Sequence, residues 1–189
     1  MAKKVLVLLA NGFEEVEAVT PVDYLRRAGL EVISAAIGGS LALRGARGIT
    51  INADVTLGEL AGKGKAAAAS WDAVILPGGM PGASNLAASR ETGALLREMA
   101  AAGKWVCAIC ASPAVVLAPL GLLSGKKFTC YPGMEEKVRG GKWSGDRVVV
   151  DGNIITSRGA GTAGAFAVAV IGGLLGEAEG KKVAESVLL

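Results

Sequence analysis

The chain has no histidine among its 189 residues. A Cys–His pair, a Ser–His–Asp triad and a His-ligated metal site are thereby excluded within one chain. It has only three cysteines, too few for a four-cysteine zinc site. An odd number of cysteines, with no signal peptide ahead of the first apolar run, reads as free thiols in a reducing compartment. The cytoplasm is expected, with a chloroplast or other organelle left open. Charge is also scarce in net terms, +3. No basic stripe interleaved with aromatics is present, which argues against a nucleic-acid site. Aromatics make up only 4% of the chain. Whatever assists a nucleophile here must be a carboxylate, a hydroxyl, a cation or the backbone.

What is abundant is small and apolar. Val, Ala, Leu and Gly dominate, as suits a tightly packed α/β domain. The 28 glycines are about twice the average share of ~7%, so many tight turns are expected. The length predicts a single domain over 1–189 that buries about 70% of its unfolded surface without disulfide or metal. Two uncharged runs, 105–125 and 159–176, invite comparison with membrane spans. Pro113, Pro119 and Gly121 break the first, and the second just reaches the ~18-residue minimum. Both read as buried elements, and no membrane partner is expected.

Residues 4–10 are continuously apolar, as in a strand covered on both faces. Asn11 and Glu14 have the spacing of a capping box. Glu14, Glu15 and Glu17 fall where a helix dipole favours negative charge. A helix is predicted over 14–28, kinked near Pro21, with Thr20-Pro21 as a second start. Strand 30–35 follows, then turns and a short hairpin in 38–50 carrying Arg44 and Arg47. A short strand at 49–52 and one helical turn at 56–60 come next. The low-complexity stretch 61–70 reads as a mobile surface connection. Strand 72–77 runs into Gly78-Gly79-Met80-Pro81-Gly82, which is neither GxGxxG nor a Walker motif, so no nucleotide cofactor is supported. A helix over 85–102 is interrupted near Ser89. Strand 104–109 ends in a sharp turn at Cys110, with Ser112 as cap and Pro113 in the first turn of the next helix. A strand at 127–131, a hairpin of 147–150 with 153–157 through Asp151-Gly152, and helices over 162–175 and 178–187 complete the chain. This alternation predicts an α/β fold, a doubly wound and mostly parallel sheet with helical layers on both faces.

In such sheets the site lies beyond the carboxyl ends of the strands. Segments 11–17, 77–82, 110–113 and 157–161 sit there. Cys110 is the one strong nucleophile among them. Its pKa should fall if the sulfur faces helix N–H groups, but its position suits a buried inert thiol equally. The N–H of Ala111, with that of Gly79 or Met80, suits an oxyanion hole or an ordinary tight turn. Glu17 fits a general acid/base raised by burial. Compensation of the helix dipole on a solvated face is the alternative, and suits Glu14 and Glu15 better. Arg158 is an anion-binding or a structural arginine. Cys107 and Cys110 are formally CxxC, but Cys107 lies inside the apolar strand, which argues against dithiol chemistry.

NGFEEVEAVTPVDYLRRAG, LPGGMPGASNL, AICASP and SRGAGT are similar, with nearly the whole chain, to the ThiJ/PfpI superfamily. Within it they resemble the branch of the parkinsonism-associated deglycase. The resemblance implies a flavodoxin-like three-layer sandwich, similar to class I glutamine amidotransferases, and a homodimer. It implies that Cys110 is the reactive, easily oxidised cysteine and that Glu17 hydrogen-bonds it. Gly78, Gly79 and Ala111 would supply the oxyanion amides. Met80, Tyr131, Arg47 and Arg158 would support the substrate, and Glu14, Asp23 and Arg27 the dimer contact. The implied activities are cofactor-free and metal-free. They are a glutathione-independent glyoxalase taking methylglyoxal to lactate and glyoxal to glycolate, and deglycation of protein or nucleotide adducts. Redox sensing through Cys110 sulfinic acid and chaperone action are the non-enzymatic alternative. Many members carry a histidine where this chain has Tyr131, so a Cys–His relay is unavailable. Family proteases have histidine after the cysteine; Ala111 stands there, which argues against proteolysis.

Overall fold

The computed structural model describes residues 2–64 and 67–189. The first apolar run forms β1 (Lys4–Leu9). Helix α1 (Glu15–Arg27) follows from an uncapped Glu14. The expected capping box is absent because Asn11 Oδ1 instead accepts the Arg44 N–H at 2.8 Å. Thr20-Pro21 is not a second start, since the helix runs through it with Pro21 buried. Then come β2 (Glu31–Ala36) and the antiparallel hairpin of β3 (Ala42–Arg44) and β4 (Thr50–Asn52). Next is the two-residue β5 (Val55–Thr56). Helix α2 (Leu57–Gly62) starts in a true capping box, with Thr56 accepting from the Glu59 N–H and Glu59 returning the bond. Residues 65–66 of the predicted mobile connection lie outside the described residues. Its remainder ends α2 and makes a 3-10 turn over Ala68–Ser70 with Ala68 buried.

Strand β6 (Ala73–Leu76) leads through the glycine turn to α3 (Gly82–Ala88) and α4 (Arg90–Ala101). The interruption at Ser89 has a direct cause: its hydroxyl accepts the Thr92 N–H at 3.1 Å and caps α4. Strand β7 (Trp105–Ile109) ends at Cys110, and one π-helical turn follows at Pro113–Leu117. Ser112 does not cap that turn; its hydroxyl donates to the Pro77 carbonyl at 2.5 Å. The strand expected over 127–131 shrinks to β8 (Lys127–Phe128), which pairs in parallel with β9 (Lys142–Trp143). The hairpin of β10 (Val148–Asp151) and β11 (Ile154–Ser157) precedes α5 (Ala163–Leu175) and α6 (Glu177–Ser186).

Seven strands make one sheet in the order β10-β11-β7-β6-β1-β2-β5. Every neighbouring pair is parallel except β10–β11. Successive strand residues face opposite layers, so each buried strand feeds two cores. Leu6, Leu8, Val74, Leu76 and Val106 pack with Leu86, Leu96 and Met99 on one face. Val5, Val7, Ile75, Cys107 and Ile155 pack with Leu25, Phe166 and Val170 on the other. Each fully buried side chain of this kind stabilises the fold by about 1.5–3 kcal/mol relative to exposure. The result is the expected α/β three-layer sandwich. Among the described residues no helix is long and apolar enough to cross a membrane.

Candidate active site

At the carboxyl end of β7 the chain turns so sharply that Cys110 takes φ +64. A non-glycine residue rarely adopts this left-handed conformation. The turn is held from three sides. Cys110 N–H donates to the Ser157 carbonyl at 2.9 Å, and its own carbonyl accepts the Tyr131 N–H at 2.8 Å. The Ser112 hydroxyl ties the next turn to Pro77. The thiol is thus partly exposed while Cys107 and Cys130 are buried.

Glu17 projects from the first turns of α1 and is fully buried. Its Oε2 accepts the Gly78 N–H at 2.8 Å. Oε1 is also buried and has no hydrogen-bond partner among the described residues; it and the Cys110 sulfur flank one point beside Gly159, at 3.9 and 4.0 Å. Burial pushes the carboxyl up to about 7, against the pull of the Gly78 N–H and of the Cys110 thiol, with the Glu14 charge adding to the rise. The thiol departs from expectation. Burial and then Glu17 push it up to about 12, although the Gly79 and Ala111 N–H groups pull the other way. Two negative charges are therefore disfavoured in this site: the pair holds both protons below about pH 7 and a single one above it.

Those two amides reach the sulfur, whereas Gly78 is already committed to Glu17. The Gly78 N–H, expected in an oxyanion hole, therefore donates to a carboxylate instead. Gly79 sits at φ +83, and a Cβ there would fall 2.6 Å from the Gly12 carbonyl oxygen. Only glycine brings this amide so close to the thiol.

A cavity of about 610 Å³ opens over the sulfur, lined by Glu14, Glu17, Arg47, Met80, Tyr131 and Ala160 among others. Met80 and Tyr131 are about half exposed at its mouth. Arg47 Nε lies 3.5 Å from Glu14 Oε2. Arg158 is not among the lining residues: its guanidinium donates to the Gly145 carbonyl at 3.2 Å, and its charge acts on Cys130. Asp23 and Arg27 pair with each other on α1 at 2.8 Å. Glu15 departs from the solvated role expected of it. It is buried, and its Oε1 accepts the Arg47 and Ile49 N–H groups. Ala46 and residues 132–134 also line the cavity and were not legible in the sequence. A cavity of similar size, about 660 Å³, lies at the opposite ends of the strands. It holds no thiol, and its Lys3, Lys4 and Lys104 pair with Asp72 and Glu31. Among the described residues no group of three or more Cys, Asp, Glu or His side chains is placed to hold a metal ion.

The sequence pattern of the DJ-1/PfpI family matches residues 3–172. Protein DJ-1 homolog B of Arabidopsis thaliana is 41% identical over 186 residues, covering 98% of this chain and 41% of the relative. The chain thus spans less than half of that relative. The crystal structure of Drosophila melanogaster DJ-1beta is similar with TM-score 0.92 and 39% identity, covering 100% of this chain and 99% of that one. Glutathione-independent glyoxalase DJR-1.2 of Caenorhabditis elegans is 36% identical over 172 residues, covering 89% of this chain and 87% of the relative.

Proposed function

The chain belongs to the DJ-1/PfpI family, and from that premise we propose that it is a cofactor-free glyoxalase acting on methylglyoxal and glyoxal. One observation carries the reading: a fully buried carboxyl, Glu17, held near neutrality and facing a partly exposed thiol. A general acid/base works best when its pKa lies near the working pH. Glu17 carboxylate takes the Cys110 proton, and the thiolate adds to the aldehyde carbon. The oxygen left negative is met by the Gly79 and Ala111 amides and takes the proton back from Glu17. The carboxylate then removes the hydrogen on that carbon, giving an enediolate. The C1 hydroxyl proton passes to the C2 oxygen, and Glu17 returns its own proton to C2. The product is a lactoyl thioester of Cys110. Water cleaves it to lactate and free thiol, so the sum is methylglyoxal plus water to lactate and a proton. Tyr131 has no part in proton transfer in this scheme; with Met80 it walls the mouth.

Deglycation would use the same thiol on an aminocarbinol adduct. We place the protein in a reducing compartment such as the cytoplasm, which keeps the thiol free. We also take it to form a homodimer through α1, where Val16 and Val19 are each 48% exposed beside Asp23 and Arg27. The test is turnover of methylglyoxal by purified protein. Cys110→Ser should abolish it and Glu17→Gln should reduce it at least a hundredfold, the usual contribution of an acid/base being roughly 10²–10⁴. Full turnover by Cys110→Ser would sink the reading.

A second reading rests on the same proton. Neutral Glu17, with the Gly79 and Ala111 amides, suits donation to the oxygens of a Cys110 sulfinate, and so redox sensing with peroxide as oxidant. Peroxide titration followed by intact mass separates the readings: Cys110 should take up oxygen before Cys107 and Cys130.

A further inference from the structure

An ideal Cβ on Gly159 would lie 3.6 Å from Tyr131 Cδ2, 3.9 Å from Glu17 Oε1 and 4.0 Å from Cys110 Sγ. These are ordinary contact separations. The point is therefore free space bounded at once by nucleophile, acid/base and aromatic wall. The backbone does not call for glycine there. Gly159 has φ 165 and ψ −171, an extended conformation open to any residue.

Its position is fixed by a hydroxyl network instead. Gly159 N–H donates to Thr162 Oγ1 at 3.1 Å, and that hydroxyl donates back to the Gly159 carbonyl at 2.8 Å. Ser157 Oγ lies 2.7 Å from the same Thr162 oxygen. The segment that accepts the Cys110 N–H through the Ser157 carbonyl thus also presents a bare Cα to the thiol.

We propose that Gly159 sets which carbonyl compounds reach Cys110, by leaving open the space that the substituent on the second carbon occupies. The proposal rests on the dicarbonyl reading above and names the residue that limits substrate size. In a hemithioacetal on Sγ, the group attached to C2 lies three bonds from the sulfur. That matches the reach from Sγ to the free point. Glyoxal places only hydrogen there, methylglyoxal a methyl group and phenylglyoxal a ring. One added methyl in such a wall is worth about tenfold or more in discrimination.

The test compares kcat/KM of wild type and Gly159→Ala on the three compounds. The expected result is a loss on methylglyoxal and phenylglyoxal about tenfold greater than on glyoxal, with an unchanged melting temperature. Equal loss on all three, or no loss, would overturn the proposal. So would an unfolded variant, because it would contradict the free space. A second arm needs no turnover. Cys110 alkylation by iodoacetamide and by 2-iodopropanamide, followed by intact mass, should show the variant slowing the larger reagent selectively. A wild-type protein that turns over none of the three compounds would end the glyoxalase reading. The alkylation ratio would still decide the role of Gly159.

Discussion

Glu15 holds Arg47 by its backbone: the Glu15 Oε1 atom accepts the Arg47 N–H at 2.8 Å. The same oxygen accepts the Ile49 N–H at 3.2 Å. A side chain on Gly45 would collide with this carboxyl. One buried acid in α1 therefore fixes the turn over residues 45–49, and with it the Ala46 and Arg47 wall of the cavity.

Glu15→Ala should leave two amides without a partner and destabilise the fold by about 1–3 kcal/mol. Burial pushes this carboxyl up, but the hydrogen bonds from its own amide and those of Arg47 and Ile49 outweigh it. The net value is below the ordinary carboxylate value of 4.5. The stabilisation is thus present above that value and lost as pH falls through the lower folded one. Urea unfolding of wild type and variant across the acid range should converge at low pH.

Glu17→Gln should separate activity from stability. The folded carboxyl sits at about 7 against 4.5 for the free group. Its contribution is favourable below 4.5 and lost as pH rises to 7. The variant should be the more stable protein above neutrality, by on the order of 3 kcal/mol. Over the same interval wild-type turnover should climb with pH while that of the variant stays low and flat. Melting curves and initial rates on methylglyoxal check both arms.

Alkylation of Cys110 by iodoacetamide should also rise through about pH 7, where the Cys110–Glu17 pair loses its first proton. Glu17→Gln should erase that step. Cys107 should stay unmodified, because it is buried and its thiol is pushed up by that burial.

The strands that carry the site are readable as apolar runs, and the helix interruption near Ser89 is expected too, although its cause, the Ser89 cap of α4, shows only in the fold. Two-residue strands such as β5, β8 and β9 have no period to read. Glu15 was misjudged because spacing along α1 cannot reveal that the chain returns at Gly45 with two free amides. The direction of the thiol pKa escapes the sequence for a related reason: the two amides are foreseeable, but the burial of the sulfur itself, with Glu17 beside it, is not. Gly78 enters the expected oxyanion set through the family resemblance, which does not show that the Glu17 carboxylate claims its amide.

Ser112→Ala should unpair the buried Pro77 carbonyl, to which the hydroxyl donates at 2.5 Å. A loss of about 1–3 kcal/mol is expected. The link between the thiol turn and the Gly79 turn should loosen too, so kcat should fall while KM changes little. Rates measured well below the melting temperature distinguish this from simple unfolding.

Helices α1 and α5 pack together over one face of the sheet, and β11 sits between β7 and β10. During synthesis, α1 leaves the ribosome long before its covering helix exists. Cys110 emerges before the Ser157 carbonyl that anchors its amide. A growing chain therefore carries the thiol before the turn that holds it can close. The left-handed Cys110 backbone and the enclosure of the sulfur are acquired only when the late segment arrives.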